Sequence, residues 1–320
     1  MSNTSIVPYP RAGDPDPLPM EVTCRRLSAE GFPAAEQHVR EHLQREGYRR
    51  ELRVSRQRTF LLSWDGAPDC RWAFDAPEGA VQNLADLQRD IPCDAAWERA
   101  EWRSGERGAW TLEIACSDPS AKLVATLCPA TDRIDYAITL TISEPGVWRG
   151  LDLHVCFNHC WAPGFGRTAF ALAGDRLCAL SELPNERGIW LRYALRENTP
   201  RLNTLKLRQI DVRGPGSSLF PYDGIPPWSI QEKMPIDSVQ TAFIATERAR
   251  AGADGPAMSV AIGSESAFAV GWSYWPCTDL DLAFPTIAAS PAGSATVHGS
   301  IHFARCTAGE LLSVLSARSP

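Results

Sequence analysis

The chain has no long hydrophobic run. Nowhere in its 320 residues do about eighteen apolar side chains follow one another, so no transmembrane helix or membrane partner is expected. The N-terminus, MSNTSIVPYPRAGDPDP, has no basic segment followed by an apolar one, so no secretory signal is expected. Basic stretches interleaved with aromatics are missing too. With a net charge of −6, this argues against a nucleic-acid partner. The ten cysteines contain no C-x-x-C pair, which excludes both a dense disulfide framework and a paired-cysteine zinc motif. They read as reduced, mostly buried thiols in a cytoplasmic protein. G-x-S-x-G, the P-loop and H-E-x-x-H are all absent, as is any fixed-period repeat, which argues against a propeller.

What is present reads as a mostly β protein. Residues 1–20, rich in Pro, Asp and Gly, are expected to form a flexible arm, and residues 21–320 a single β-sandwich domain. Helical decoration is expected at about 34–52, where Ala35, Val39 and Leu43 share one side, and at about 80–90, where Val81, Leu84 and Leu87 recur. From residue 108 the period changes to two. Trp110–Cys116, Lys122–Cys128 and Arg133–Ile142 are β-rich runs parted by turn clusters. Further strands are expected near 151–158, 167–173, 176–181, 205–213, 240–246, 257–263, 267–274 and 295–305. Short strands with no helices between them favour an antiparallel two-layer sandwich over a parallel α/β sheet. Thr307-Ala-Gly-Glu310 is a capping box opening a short terminal helix. Arg213–Pro235 reads as a long irregular binding loop.

The segment Leu151–Asn158 carries the clearest chemical signal. Alternation places Leu151, Leu153, Val155 and Phe157 on one face and Asp152, His154, Cys156 and Asn158 on the other. Near the C-terminus, Thr296, His298, Ser300 and His302 form a second polar row. If both rows line one surface, they supply acid–base capacity near neutral pH; a solvated sheet face is the plainer reading. His154 and Cys156, roughly 6–7 Å apart at Cα, could share a divalent transition metal with one histidine of the other strand. His298 and His302, roughly 13 Å apart, could not chelate one ion together. Gly164-x-Gly166-x-x-Ala169 matches a relaxed dinucleotide fingerprint but has no βαβ context, so it reads as a turn. Among the eleven tryptophans, Trp161 and Trp228 on expected loops, and Trp272 near a strand end, are candidates for stacking on a sugar.

The stretch Trp272-Ser-Tyr-Trp-Pro-Cys277, with Ser290-Pro-Ala-Gly293, His298-Gly-Ser-Ile-His-Phe303 and Gly309-Glu-Leu-Leu312, resembles the ending of galactose mutarotase-like sandwiches. These occur in aldose epimerases and in accessory domains of polysaccharide lyases. The resemblance implies a site on the concave sheet face, with histidines as acid and sugar binder and a glutamate as base. His154 and either His298 or His302 would take the histidine roles, with Asn158 donating a hydrogen bond. Glu265 is the glutamate candidate, although it does not stand in a matching position. The expected function is thus a carbohydrate-processing enzyme, an isomerase or lyase acting on a small-molecule or oligosaccharide ligand, with no cofactor. The alternatives are a metal-dependent cupin-like enzyme and a non-catalytic carbohydrate-binding module.

Overall fold

The computed structural model describes residues 3–9, 59–83, 89–93, 96, 99–159, 161–166, 168–173, 176–179, 190–194, 243–248, 257–273 and 277–317. These form two large antiparallel sheets packed face to face. The first sheet runs β1 (Thr4–Tyr9), β2 (Thr59–Trp64), β3 (Trp72–Asp75), β10 (Leu151–Asn158), β17 (Cys277–Ala283), β16 (Ala267–Ser273) and β13 (Trp190–Ala194). A short β4 (Gln82–Asn83) also pairs with β10. The second sheet begins with β12 (Arg176–Ala179), β11 (Phe170–Ala173), β14 (Phe243–Arg248) and β15 (Met258–Gly263). It continues through β19 (Gly293–Ala304), β8 (Arg133–Ile142), β7 (Ser120–Ala130), β6 (Trp110–Ser117) and β5 (Ala100–Ser104). A small ribbon pairs β9 (Gly146–Trp148) with β18 (Ile287–Ala289).

Period-two sequences produce this arrangement because each strand sends its apolar residues to one side. Leu153, Val155 and Phe157 from β10, Leu280 and Leu282 from β17, and Ile134, Ile138 and Leu140 from β8 join one buried cluster. So do Val297, Ile301 and Phe303 from β19. Aromatic rings tie the layers together. Trp64 stacks on Phe303 at 5.7 Å, Trp72 meets the same ring edge-on at 5.1 Å, and Phe74 lies 5.1 Å from Tyr136. Each such pair adds roughly 0.5–1.5 kcal/mol beyond its buried area. Gly299 keeps space for this packing: a Cβ there would lie 2.2 Å from the Tyr136 ring and 2.3 Å from the Gly263 carbonyl. The Tyr136 hydroxyl donates to that same carbonyl at 2.9 Å.

The terminal helix α1 (Ala308–Ser316) has the expected capping box between Thr307 and Glu310. Its Leu311, Leu312 and Leu315 pack with Ala245, Ala261 and Leu172 against the outer side of the second sheet. None of the described helices is long and apolar enough to cross a membrane. The eight described cysteines are free thiols and six are buried, as expected for reduced cysteines.

Two expectations are corrected. The N-terminal arm is not loose over residues 4–9, which pair with β2 along the sheet edge. An edge position tolerates Pro8, whose missing N–H has no ladder bond to make. Within the expected helix at 80–90, Val81 bridges to Ile91 and Gln82–Asn83 pair with β10. The expected helix therefore does not include residues 81–83, and residues 84–88 lie outside the described residues. So do the expected helix at 34–52, the strand at 205–213 and the loop Arg213–Pro235.

Gly299→Ala should destabilise the fold by about 1–3 kcal/mol, the usual cost of overpacking a filled core. His298→Ala, the adjacent exposed position, should stay within about 0.5 kcal/mol of the parent. Urea unfolding of the two variants measures both.

Candidate functional site

The outer face of the first sheet gathers the chemistry. Because β10 and β17 are antiparallel, His154 lies opposite Asp281, Cys156 opposite Asp279 and Asn158 opposite Cys277. On its other side, β10 sets Cys156 opposite Asp75 of β3. Directly opposed side chains have Cβ atoms about 4.5–5.5 Å apart. The register therefore packs Asp75, His154, Cys156, Cys277, Asp279 and Asp281 into one patch. The burial is deep: Asp279 is 0% exposed, Asp281 1% and Asp152 3%.

His154 is the hub. Its Nδ1 lies 2.9 Å from Asp281 Oδ1, its Nε2 lies 3.2 Å from Glu78 Oε2, and Asp279 Oδ1 is 3.9 Å from Nε2. Glu78 reaches the site from the turn after β3, where its backbone N–H donates to the His154 carbonyl at 2.8 Å. The His154 side chain remains 14% exposed and that of Glu78 35% exposed, so this corner of the patch opens to solvent while the aspartates behind it do not.

Two groups respond strongly to their surroundings. Burial, reinforced by the charges of Glu78 and Asp279, pushes the Asp75 carboxyl up to about 7, against the opposing hydrogen bond from Thr59. The hydrogen bond to Cys277, followed by burial, pushes the Cys156 thiol well above its ordinary range. Cys277 Sγ in turn lies 3.8 Å from Asp279 Oδ2. Two sets of donor atoms are compact enough to hold an ion: Cys156, Cys277 and Asp279, and Glu78, His154 and Asp279, each lying within 4.8 Å of one another.

The expected partnership of His154 with the C-terminal strand does not form. β10 and β19 belong to different sheets, and each buries its apolar row in the shared cluster. His154 therefore points away from that cluster on one side of the sandwich, and His298 and His302 on the other. Packed sheets are about 10 Å apart before outward side chains are added. His298 is exposed. His302 bonds Ser300 at 2.8 Å and packs edge-on to Phe243 at 5.7 Å. The metal set of His154, Cys156 and a C-terminal-strand histidine fails for the same reason.

Of the remaining candidates, Asn158 stays with the patch, opposite Cys277 on the face of His154 and Cys156, and the others are dispersed. Asn158 ends β10 half-buried. The half-buried Trp161 ring meets Tyr9 at 6.0 Å, a packing role. Trp272 lies in β16, in register with Thr278, and Trp228 lies outside the described residues. Glu265 is exposed in the turn after β15. Neighbouring His159 is fully buried, 3.2 Å from the Thr278 hydroxyl. Sequence reasoning missed Glu78, Asp75, Cys277, Asp279 and Asp281. One usable signal existed, the alternation in Asp279-Leu-Asp-Leu282.

No family model and no curated protein match this sequence. Distant similarity to solved structures is found. Slr1438 of Synechocystis sp. PCC 6803 is 7% identical, with a TM-score of 0.38 over 78% of this chain and 92% of the other. The galactosidase domain of the α-galactosidase–sucrose kinase AgaSK is 10% identical, with a TM-score of 0.29 over 74% and 28%. A Klebsiella pneumoniae protein provisionally named an aldose 1-epimerase is 6% identical, with a TM-score of 0.26 over 69% and 59%.

Asp75 makes folding pH-dependent. A carboxyl raised in the folded state to about 7 stabilises fully below its ordinary range, and that stability is lost as pH rises through the folded value. The loss is on the order of 4 kcal/mol between about pH 4 and pH 8. Asp75→Asn should lack this component, so urea unfolding across that range should show a smaller fall for the variant than for the parent.

Proposed function

We propose that the protein is a carbohydrate-processing enzyme of the isomerase or lyase type, working by proton transfer on the outer face of the first sheet. The observation that carries this reading is the run Asp281–His154–Glu78, with contacts of 2.9 and 3.2 Å. Asp281, fully enclosed, anchors Nδ1 and so fixes the plane of the ring, the positioning role a buried carboxylate plays for a working imidazole. Nε2 meets Glu78 Oε2 at 3.2 Å, and both atoms are closed off from solvent beneath the exposed part of the Glu78 side chain, so a substrate would have to displace that side chain to reach them. Epimerisation and eliminative cleavage both move a proton between a sugar carbon or oxygen and a fixed group, and both need an acid and a base within one small patch.

Glu78 supplies the glutamate that a mutarotase-like site calls for and that Glu265 cannot. His154 takes the acid role and Glu78 the base role. This differs from the expected arrangement, in which two histidines shared the work.

The test is an assay panel: mutarotation of common aldoses followed by polarimetry, and eliminative cleavage of uronate-containing oligosaccharides followed by ultraviolet absorbance. The parent should turn over members of one class. His154→Asn and Glu78→Gln should each lower kcat roughly 10²–10⁴-fold, the contribution of a positioned acid or base, while His298→Ala and His302→Ala should leave it unchanged. Sugar binding without turnover, at an affinity indifferent to His154→Asn, would replace this reading with a non-catalytic binding module.

A further inference from the structure

We propose that Cys156, Cys277 and Asp279 form a site for a thiophilic divalent cation, zinc above all, alongside the His154–Glu78 pair. This goes beyond the proton-transfer reading and stands without it. The donor atoms of the three residues all lie within 4.8 Å of one another. In a tetrahedral zinc site with bonds of about 2.0–2.3 Å, ligand atoms stand roughly 3.3–3.8 Å apart. The 3.8 Å between Cys277 Sγ and Asp279 Oδ2 is already at that spacing.

The scaffold explains how three residues far apart in sequence arrive together. Asp279 is opposite Cys156 and Cys277 is opposite Asn158 in the β10–β17 ladder. Cys277 and Cys156 are thus diagonal neighbours on one face, with Asp279 between them. No loop has to order on binding. All three are closed off from water, with exposures of 4%, 4% and 0%; the ion would bind the two sulfurs as thiolates, with the two S–H protons released to solvent, and low local dielectric then strengthens its attraction to them.

Donor chemistry selects the ion. Two sulfurs and one carboxylate oxygen suit zinc, whereas magnesium and calcium prefer all-oxygen shells. Asp279 links the two halves of the patch, with Oδ2 beside Cys277 and Oδ1 toward His154. A cation held there would lie beside the His154–Glu78 pair and share Asp279 with it. This set differs from the one expected from sequence, because neither sulfur partner depends on a histidine of the other sheet.

The experiment uses the full chain, stripped of metal under reducing conditions and titrated with cobalt(II) as a spectroscopic stand-in for zinc. One equivalent should bind and produce a thiolate-to-cobalt charge-transfer band that zinc then abolishes. Cys156→Ser and Cys277→Ser should each remove about half of that band and weaken binding by about tenfold or more. X-ray absorption of the zinc-loaded parent should show two sulfurs at about 2.3 Å and lighter donors closer in, a readout that does not depend on variants folding. Folded parent protein taking up no stoichiometric cobalt would overturn the site, as would four sulfur ligands or a full band in the double serine variant. None of these readouts requires turnover, so failure of the sugar assays and failure of metal binding are separate results.

Discussion

The register between β10 and β17 is the constraint on which everything else depends. In Leu151–Asn158 and again in Asp279–Leu282, apolar and polar residues alternate, and the pairing aligns the two alternations. A slip of one residue would send Leu280 and Leu282 outward and drive Asp279 and Asp281 into a core of Phe157, Ile138 and Val297. Burying even one unpaired carboxylate in such surroundings costs several kcal/mol. The same alternation that builds the hydrophobic core thus concentrates acids on the opposite face.

That concentration has to be tolerated, and the patch shows three ways of doing so. Asp281 lies against the imidazole of His154. Asp75 keeps its proton up to about pH 7 because its carboxylate would be enclosed beside Glu78 and Asp279. Asp279 lies between a thiol and the imidazole, the position from which a carboxylate can serve a cation. Buried charge of this kind stabilises a fold poorly compared with apolar packing of the same volume. A sheet face built for stability alone would hold leucines or threonines, as the opposite sheet does where Thr139 meets Thr296 at 2.9 Å.

Much of the fold was legible because long, regularly alternating strands announce themselves. Arg133–Ile142 and Leu151–Asn158 have the bounds expected from sequence, and so does the helix start at Thr307. The polar row of His154 and Cys156 was visible for the same reason. The strand that completes the site was not. Asp279 and Asp281 are poor strand formers, and the Pro276 just before Cys277 reads as a stop, so the alternation of Leu280 and Leu282 was passed over. Glu78 was invisible on different grounds, since it sits in a turn whose place beside His154 depends on a backbone bond to another strand.

Alternation within a strand says which residues share a face, but nothing about which strands share a sheet. The rows on β10 and β19 looked alike for this reason, and the first could be paired with the second only by assuming adjacency. In a sandwich, two strands that both feed one core present their polar rows to opposite sides of the molecule unless they lie in the same sheet. The deciding information is long-range pairing, carried here by Trp64, Trp72 and Phe303 across the layers and by Asp279 and Asp281 within one of them. The chemistry of His154 therefore comes from its sheet neighbour 127 residues away, and the histidines of the C-terminal strand belong to a separate surface.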